Sequence, residues 1–165
     1  MSQTGDFLAR LANDRVCTPG ARARLRTLAG EGLDEDTSGF DIFTGLWWPV
    51  RKRGPRGPRR EVAWLVSKLF AACPVPDGPG HTLASQLAKC RPRDAVDRKR
   101  FTQRFDRMLM LPVSSIEYGL RWALDVIASH NLSLDWVKLT DDLSFWERES
   151  TRLRWAKDFL GIKSR

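Results

Sequence analysis

The chain has 165 residues, of which 42% are hydrophobic, and its formal net charge is +8. A chain of this length can bury a core without disulfides or a structural metal, and its apolar content excludes an intrinsically disordered protein. The longest mainly apolar stretch, residues 63–74, is interrupted by Ser67 and Lys68 and is too short to span a bilayer. The surplus positive charge must therefore lie on a folded surface.

The predicted elements are helices, because apolar residues recur at helical spacing while period-two alternation is scarce. Phe7, Leu8 and Leu11 mark the first helix, and Pro19 and Gly30 bracket the second. Further helices are predicted at about 38–48, 59–73, 82–90, 94–110, 114–130, 134–146 and 147–161. We expect an all-α fold of eight or nine helices in two small packed bundles, residues 1–92 and residues 93–165.

Proline, glycine and serine set the predicted boundaries. Pro49 is expected to stop the third helix, because proline lacks the N–H group that a helix interior needs. Ser114 and Ser133 are plausible N-caps. The segments 51–58 and 74–80 are too rich in proline and glycine to be helical.

The basic residues are concentrated towards the N terminus. Residues 1–107 contain 20 Lys and Arg against 12 Asp and Glu, whereas residues 108–165 contain 8 of each kind. Within the first part, residues 51–60 read RKRGPRGPRR, a cationic run of six basic residues without an acid. A mobile loop of this kind, leading into a helix N terminus, offers guanidinium and amide groups to phosphates. The alternative is a solvated loop without a ligand.

Two helices add further candidate phosphate contacts. The exposed face of the second helix is expected to carry Arg22 and Arg26. In the helix 94–110, an apolar stripe consists of Phe101, Phe105, Met108 and Leu109. Arg100, Arg104 and Arg107 repeat that spacing one residue earlier, which predicts three outward guanidiniums beside the packed face. The candidate nucleic-acid-binding residues are Arg22, Arg26, Arg51, Arg53, Arg56, Arg59, Arg60, Arg100, Arg104, Arg107, Arg121, Arg148 and Arg152.

The seven tryptophans are expected mainly in the core, because most of them recur with apolar residues at helical spacing. Trp47 and Trp48 are the exception. Adjacent residues on a helix cannot both face one core, so we expect one of these two indoles to be partly exposed.

No catalytic pattern emerges. His81 and His130 are the only histidines, and neither a GxxxxGK[ST] nor a GxGxxG sequence is present. Adjacent carboxylates such as Asp141 and Asp142 diverge by about 100° on a helix, which argues against a two-metal nuclease site built with Glu147 and Glu149. We expect no enzyme activity, no cofactor and no metal.

The three cysteines, Cys17, Cys73 and Cys90, are an odd number without C-x-x-C spacing. This pattern gives no sign of a disulfide framework or a zinc site. No apolar signal sequence is evident at the N terminus. We therefore expect a cytoplasmic protein.

Several stretches, in order along nearly the whole chain, carry a resemblance to a known family. They are Arg22–Thr27, Phe40–Arg51, Ala63–Ala72, Arg100–Leu109, Leu120–Arg121, Leu134–Trp136 and Leu143–Trp155. Together they resemble the CasB family, the small subunit of the type I-E CRISPR surveillance complex called Cascade.

The resemblance implies a non-catalytic helical subunit that lies as a pair in the complex. It would line a basic groove that stabilises the R-loop, the structure in which guide RNA pairs with one DNA strand and displaces the other. Implied partners are the backbone and large subunits, the guide RNA, the target DNA and a second copy of the chain. The family's basic positions correspond here to Arg26, Arg59, Arg121 and Arg148. Thr27 stands where relatives carry a second basic residue, so the resemblance implies a phosphate contact there that is either weaker or shifted to Arg22.

Two other functions remain open. One is a free-standing DNA-binding regulator with residues 94–110 as its recognition helix, although no tight helix-turn-helix junction precedes that segment. The other is a protein-interaction scaffold whose cations pair with acidic partner surfaces.

Overall fold

The computed structural model describes residues 2–35 and 37–162, and this part of the chain is all-α, as predicted. Its nine α-helices are α1 Gln3–Ala12, α2 Pro19–Thr27, α3 Phe40–Arg51, α4 Arg60–Ala72, α5 Leu83–Lys89, α6 Ala95–Leu109, α7 Glu117–Ser129, α8 Trp136–Ser144 and α9 Glu149–Leu160. Short 3₁₀ turns precede α3 and α7. None of the described helices combines the length and the apolar character needed to cross a bilayer.

The chain divides into two compact units, Met1–Pro74 and Val75–Arg165. In the first unit, α2 packs on α4, and α3 packs on both α1 and α4. In the second unit, α5 packs on α7 and α9, and α6 packs on α7. The boundary expected at residue 92 falls inside the second unit, and its use as a limit of independent folding stays a prediction.

Trp64 is central to the core of the first unit. Its ring meets that of Phe43 edge to face, with centroids 5.6 Å apart. Its indole N–H donates to the Glu31 carbonyl at 2.9 Å, and the buried Lys68 ammonium donates to the same oxygen at 2.8 Å. A Cβ at Gly39 would lie 2.9 Å from the Trp64 ring, so only glycine fits there. The indole thereby ties α4 to the segment before α3.

The third helix does not stop at Pro49 as predicted but continues to Arg51. A proline inside a helix lacks the N–H that would bond the carbonyl four residues earlier, here that of Gly45. The Arg10 guanidinium, from α1, donates to this carbonyl at 2.9 Å instead. A distant side chain therefore satisfies the oxygen that Pro49 leaves open, and the helix can run on.

The contact between Arg10 and Gly45 should be energetically coupled to Pro49. In Pro49→Ala, the new N–H supplies the Gly45 carbonyl with a helical donor, so Arg10→Ala should destabilise this background less than the wild type. A double-mutant cycle by urea denaturation should give a coupling of about 0.5–1.5 kcal/mol. Equal destabilisation by Arg10→Ala in both backgrounds would contradict this account.

A buried carboxylate organises the second unit. Asp142 in α8 accepts from the Trp155 indole at 2.8 Å and from the Arg154 guanidinium, both in α9. It also pairs with the Lys138 ammonium at 3.1 Å. Trp155 in turn meets Trp146 edge to face, with centroids 4.8 Å apart. The acid that might have suggested a nuclease site is thus a structural link between two helices.

Neither predicted serine cap is observed. Asp135 caps α8 by accepting from the Lys138 amide at 2.8 Å, while the Ser133 hydroxyl lies 2.6 Å from Nδ1 of His81. Ser114 belongs to the 3₁₀ turn Val113–Ser115, so α7 begins only at Glu117 and has no side-chain cap. Ser114 is therefore part of an additional turn before α7, and the Ser133 hydroxyl contacts a neighbouring loop.

Removing the Asp142 carboxylate should destabilise the fold. Asp142→Ala leaves the buried Trp155 N–H and two cations without their acceptor, and should lower the free energy of unfolding by about 2–4 kcal/mol. Asp142→Asn retains one acceptor oxygen and should be less destabilising. The exposed Asp106 provides the control, since Asp106→Ala should change stability by less than about 0.5 kcal/mol. Urea denaturation measures all three variants, and equal stability of Asp142→Ala and Asp106→Ala would disprove the structural role.

Candidate nucleic-acid interface

The loop within the cationic run is fastened to its own unit. Nη1 of Arg51 donates to the carbonyls of Pro55 at 3.0 Å and of Gly57 at 3.1 Å. The Trp47 indole donates to the Pro58 carbonyl at 2.9 Å, and Gly57 and Pro58 are both buried. The loop is non-helical, as predicted, but contacts within the chain hold it, in contrast to the mobile loop expected from its composition. The Arg51 guanidinium therefore stabilises the loop from within the chain.

Three further guanidiniums of the run lie against carboxylates. The pairs are Arg53 with Asp6 at 2.6 Å, Arg59 with Glu61 at 3.3 Å and Arg60 with Asp34 at 3.0 Å. Such partly exposed pairs contribute little to stability, about 0–1 kcal/mol each, so a phosphate can compete for these cations. Within the described chain, Lys52 and Arg56 are exposed and make no hydrogen bond or ion pair through their side chains.

The two candidates in α2 differ. Arg22 turns towards α1, where its guanidinium donates to the Leu11 carbonyl at 3.1 Å and pairs with Asp14 at 2.7 Å. The prediction that Arg22 lies on the exposed face is wrong, because the open carbonyl near the end of α1 attracts it. Arg26 is exposed and has no partner among the described residues. Thr27 uses its hydroxyl locally, donating to the Arg24 carbonyl at 2.7 Å.

The face predicted for α6 is confirmed. Phe105 stacks on Phe159 with centroids 4.2 Å apart, while Arg100, Arg104 and Arg107 are exposed. Arg104 lies 4.6 Å from the Trp122 ring centroid and Arg100 lies 3.9 Å from Asp97. Arg107 has no side-chain partner in the described structure.

The candidates in the C-terminal third occupy separate helices. Arg121 in α7 and Arg152 in α9 are half-buried, and their side chains make no hydrogen bond or ion pair with the described residues. Arg148, the N-cap residue of α9, lies over the Phe145 ring at 4.3 Å. The unpartnered guanidiniums among the candidates are thus Arg26, Arg56, Arg107, Arg121 and Arg152.

The sequence interpretation missed other exposed cations. Lys52 belongs to the cationic run but was not among the candidates. Arg93, Arg98 and Lys99 are also exposed, around the first two turns of α6. Val96, an apolar residue in these turns, is 58% exposed, and all residues from 93 to 100 are exposed. The sequence indicates the exposure of these two turns, because the apolar stripe of this helix begins only at Phe101.

The described residues contain no group of three or more His, Cys, Asp or Glu side chains placed to hold a metal ion. The three cysteines are buried and unpaired, and burial raises the pKa of the Cys17 and Cys90 thiols, which disfavours reactive thiolates. His81 and Ser133 contact each other between two loops, and Gly78 packs against both side chains. A Cβ at Gly78 would collide with the serine side chain, so this contact requires glycine at that position.

Comparison with known proteins adds an independent line of information. The sequence model of the family described as CRISPR-associated protein Cse2 matches residues 21–160. The chain belongs to the Cse2 family. This is the CasB family, so the resemblance noted in the sequence is confirmed.

Solved structures agree with this membership. A Cse2-family protein from Thermus thermophilus is 25% identical, with 98% of this chain and 99% of that chain covered and a TM-score of 0.72. CasB from M. ruber (24% identity, 98% and 94% coverage) has a TM-score of 0.77, and CasB from Thermobifida fusca (19%, 92% and 88%) has one of 0.61. The last two likenesses establish the fold. No curated protein sequence matches the chain.

The Cse2 match begins at residue 21, so it does not include α1. This helix supplies Asp6 to Arg53 of the cationic run and Arg10 to the Gly45 carbonyl of α3. Two residues that contact α3 and the cationic run therefore lie outside the matched segment.

Arg51 and Arg56 should respond differently to substitution although they lie five residues apart. Arg51→Ala removes the donor to two loop carbonyls and should raise amide hydrogen exchange across residues 52–58, because the loop then opens more often. Arg56→Ala removes an exposed guanidinium and should leave exchange unchanged. Hydrogen exchange followed by mass spectrometry compares them, and equal protection in both variants would show that Arg51 does not hold the loop.

Proposed function

We propose that this Cse2-family chain is a non-catalytic subunit of a Cascade complex and stabilises the R-loop through sequence-independent contacts to nucleic acid. The observation that carries the proposal is that five candidate arginines have unpartnered side chains in the part of the chain that the structure describes. The side chains of Arg26, Arg56, Arg107, Arg121 and Arg152 have no hydrogen bond or ion pair within the described chain. A guanidinium that the fold does not use can form bidentate contacts with phosphate.

The proposal fits the energetics of an R-loop. The RNA–DNA duplex that forms is about as stable as the DNA duplex that it replaces, so modest contacts with the backbone tip the balance. In another RNA-guided effector, base pairing with the guide supplies the sequence recognition of the target, and the protein recognises the heteroduplex by its backbone geometry. Arginine contacts with phosphates are suited to that task, because phosphates carry no sequence information.

The cations fall into two groups in this proposal. The unpartnered arginines contact phosphates directly, whereas Arg53, Arg60 and Arg100 must first leave a carboxylate. Of the four positions implied by the family resemblance, Arg26 and Arg121 belong to the first group. Arg59, paired with Glu61, and Arg148, lying over Phe145, are engaged within the chain. The proposed partners are the other Cascade subunits, a second copy of the chain, the guide RNA and both DNA strands.

Two triple variants that remove the same charge test the proposal. In the assembled complex, Arg26→Ala, Arg107→Ala and Arg121→Ala together should weaken retention of target DNA. The slope of log K against log salt should fall by about 0.7–0.9 for each phosphate contact that the substitutions remove. Fluorescence anisotropy at several salt concentrations measures both quantities.

The matched control is the triple Arg53→Ala, Arg60→Ala and Arg100→Ala, which should have a smaller effect because neighbouring carboxylates already offset these charges. Unchanged retention and slope in the first triple would refute the proposal. Loss of subunit assembly with unchanged DNA affinity would instead support the protein-interaction scaffold.

A further inference from the structure

Trp48 is a large aromatic side chain that the fold of the first unit leaves half exposed. It lies in α3 and is 51% exposed, whereas its neighbour Trp47 is held by the hydrogen bond to Pro58. The prediction that one of the two indoles is exposed is thus confirmed. Within the described chain, the Trp48 indole N–H makes no hydrogen bond, and its one ring contact is with Trp47, at 6.2 Å and a tilt of 52°.

The helix surface beside Trp48 is bare. Side chains in a helix lean towards its N terminus, so Trp48 extends over the turn that contains Gly45. Gly45 is exposed, and a Cβ built there meets no heavy atom within 4 Å. The exposed indole therefore adjoins an open strip at the Cα of Gly45, while Arg10 occupies the carbonyl of the same residue.

A free cation lies beside this indole along the helix. One turn after Trp48, the Lys52 side chain is exposed and unpartnered within the described residues, and the Lys52 amide donates to the Trp48 carbonyl at 3.0 Å, which places the two side chains on the same face. An aromatic surface beside a free cation is complementary to single-stranded nucleic acid, whose bases stack and whose phosphates are negative.

We propose that Trp48 is a stacking platform for an unpaired base of single-stranded nucleic acid, with Lys52 facing an adjoining phosphate. The proposal rests on the proposed function and specifies the form of nucleic acid that this site takes. Duplex DNA does not fit the platform, because its bases are already stacked on one another. A displaced strand, with its bases free, does.

Oligonucleotides with and without bases separate stacking from phosphate contact. The full-length protein is titrated at low salt with a 20-nucleotide oligothymidine and with an abasic strand of the same length and charge. Trp48→Ala should weaken binding of oligothymidine by about 5- to 150-fold, the equivalent of about 1–3 kcal/mol per stacked base. It should leave the abasic strand unaffected. Lys52→Ala should weaken both strands equally.

Two further variants distinguish stacking from a general effect on the fold. Gly45→Leu fills the open strip, where the backbone imposes no strain, and should also reduce binding of oligothymidine selectively. Phe40→Ala is the matched control, because Phe40 is 45% exposed on the same helix but lies beside Asp41 in place of a free cation. This variant should bind both strands as the wild type does. Urea denaturation checks that each variant is folded.

The outcomes separate this inference from the function on which it rests. If the wild type binds both strands equally and Trp48→Ala changes neither affinity, the platform is refuted while phosphate binding stands. If the wild type binds neither strand, the platform is refuted, and retention of target DNA by the assembled complex decides the proposed function separately. If Trp48→Ala impairs assembly with other Cascade subunits and leaves the preference for bases intact, the indole is a protein contact and the platform is refuted.

Discussion

Bonds from cationic side chains to backbone carbonyls link the elements of the first unit around its apolar core. Arg22 reaches the carbonyl of Leu11, Arg10 that of Gly45, and Lys68 that of Glu31. Arg51 bridges two carbonyls in the loop that follows α3. Helix ends and proline-containing turns leave such oxygens without a backbone donor, and their partial negative charge favours a cation. The fold thereby consumes part of its positive charge, and only the remainder is available to a polyanion.

In the second unit, buried donors and cations bond to a carboxylate. Asp142 receives an indole and two cations from α8 and α9, so a single buried acid satisfies three donors. Breaking such a centre from one side is strongly destabilising, because the groups left behind have neither water nor a partner. In the first unit the corresponding buried cation, Lys68, instead donates to a backbone carbonyl, that of Glu31.

Much of the helical framework could be predicted from apolar periodicity, and so could the exposed arginines of α6, because both follow from spacing within one element. The exposure of Trp48 followed from its position next to Trp47. The inward turn of Arg22 could not be predicted, since the sequence does not show which carbonyls a fold leaves open. The end of α3 was predicted wrongly at Pro49 for the same reason. The carbonyl of Gly45 that Pro49 leaves without a donor is bonded by Arg10, which lies 35 residues away in the sequence.

The carbonyl partners of Arg10, Arg22 and Arg51 have a consequence for experiments in solution. A carbonyl oxygen does not titrate, and a guanidinium stays protonated throughout the pH range in which proteins are handled. Added salt screens exposed charges and displaces phosphates, but it acts weakly on short, direct hydrogen bonds to a neutral group. The contacts of these three arginines with their carbonyls are therefore expected to persist in concentrated salt, when the exposed ion pairs of the same unit are screened.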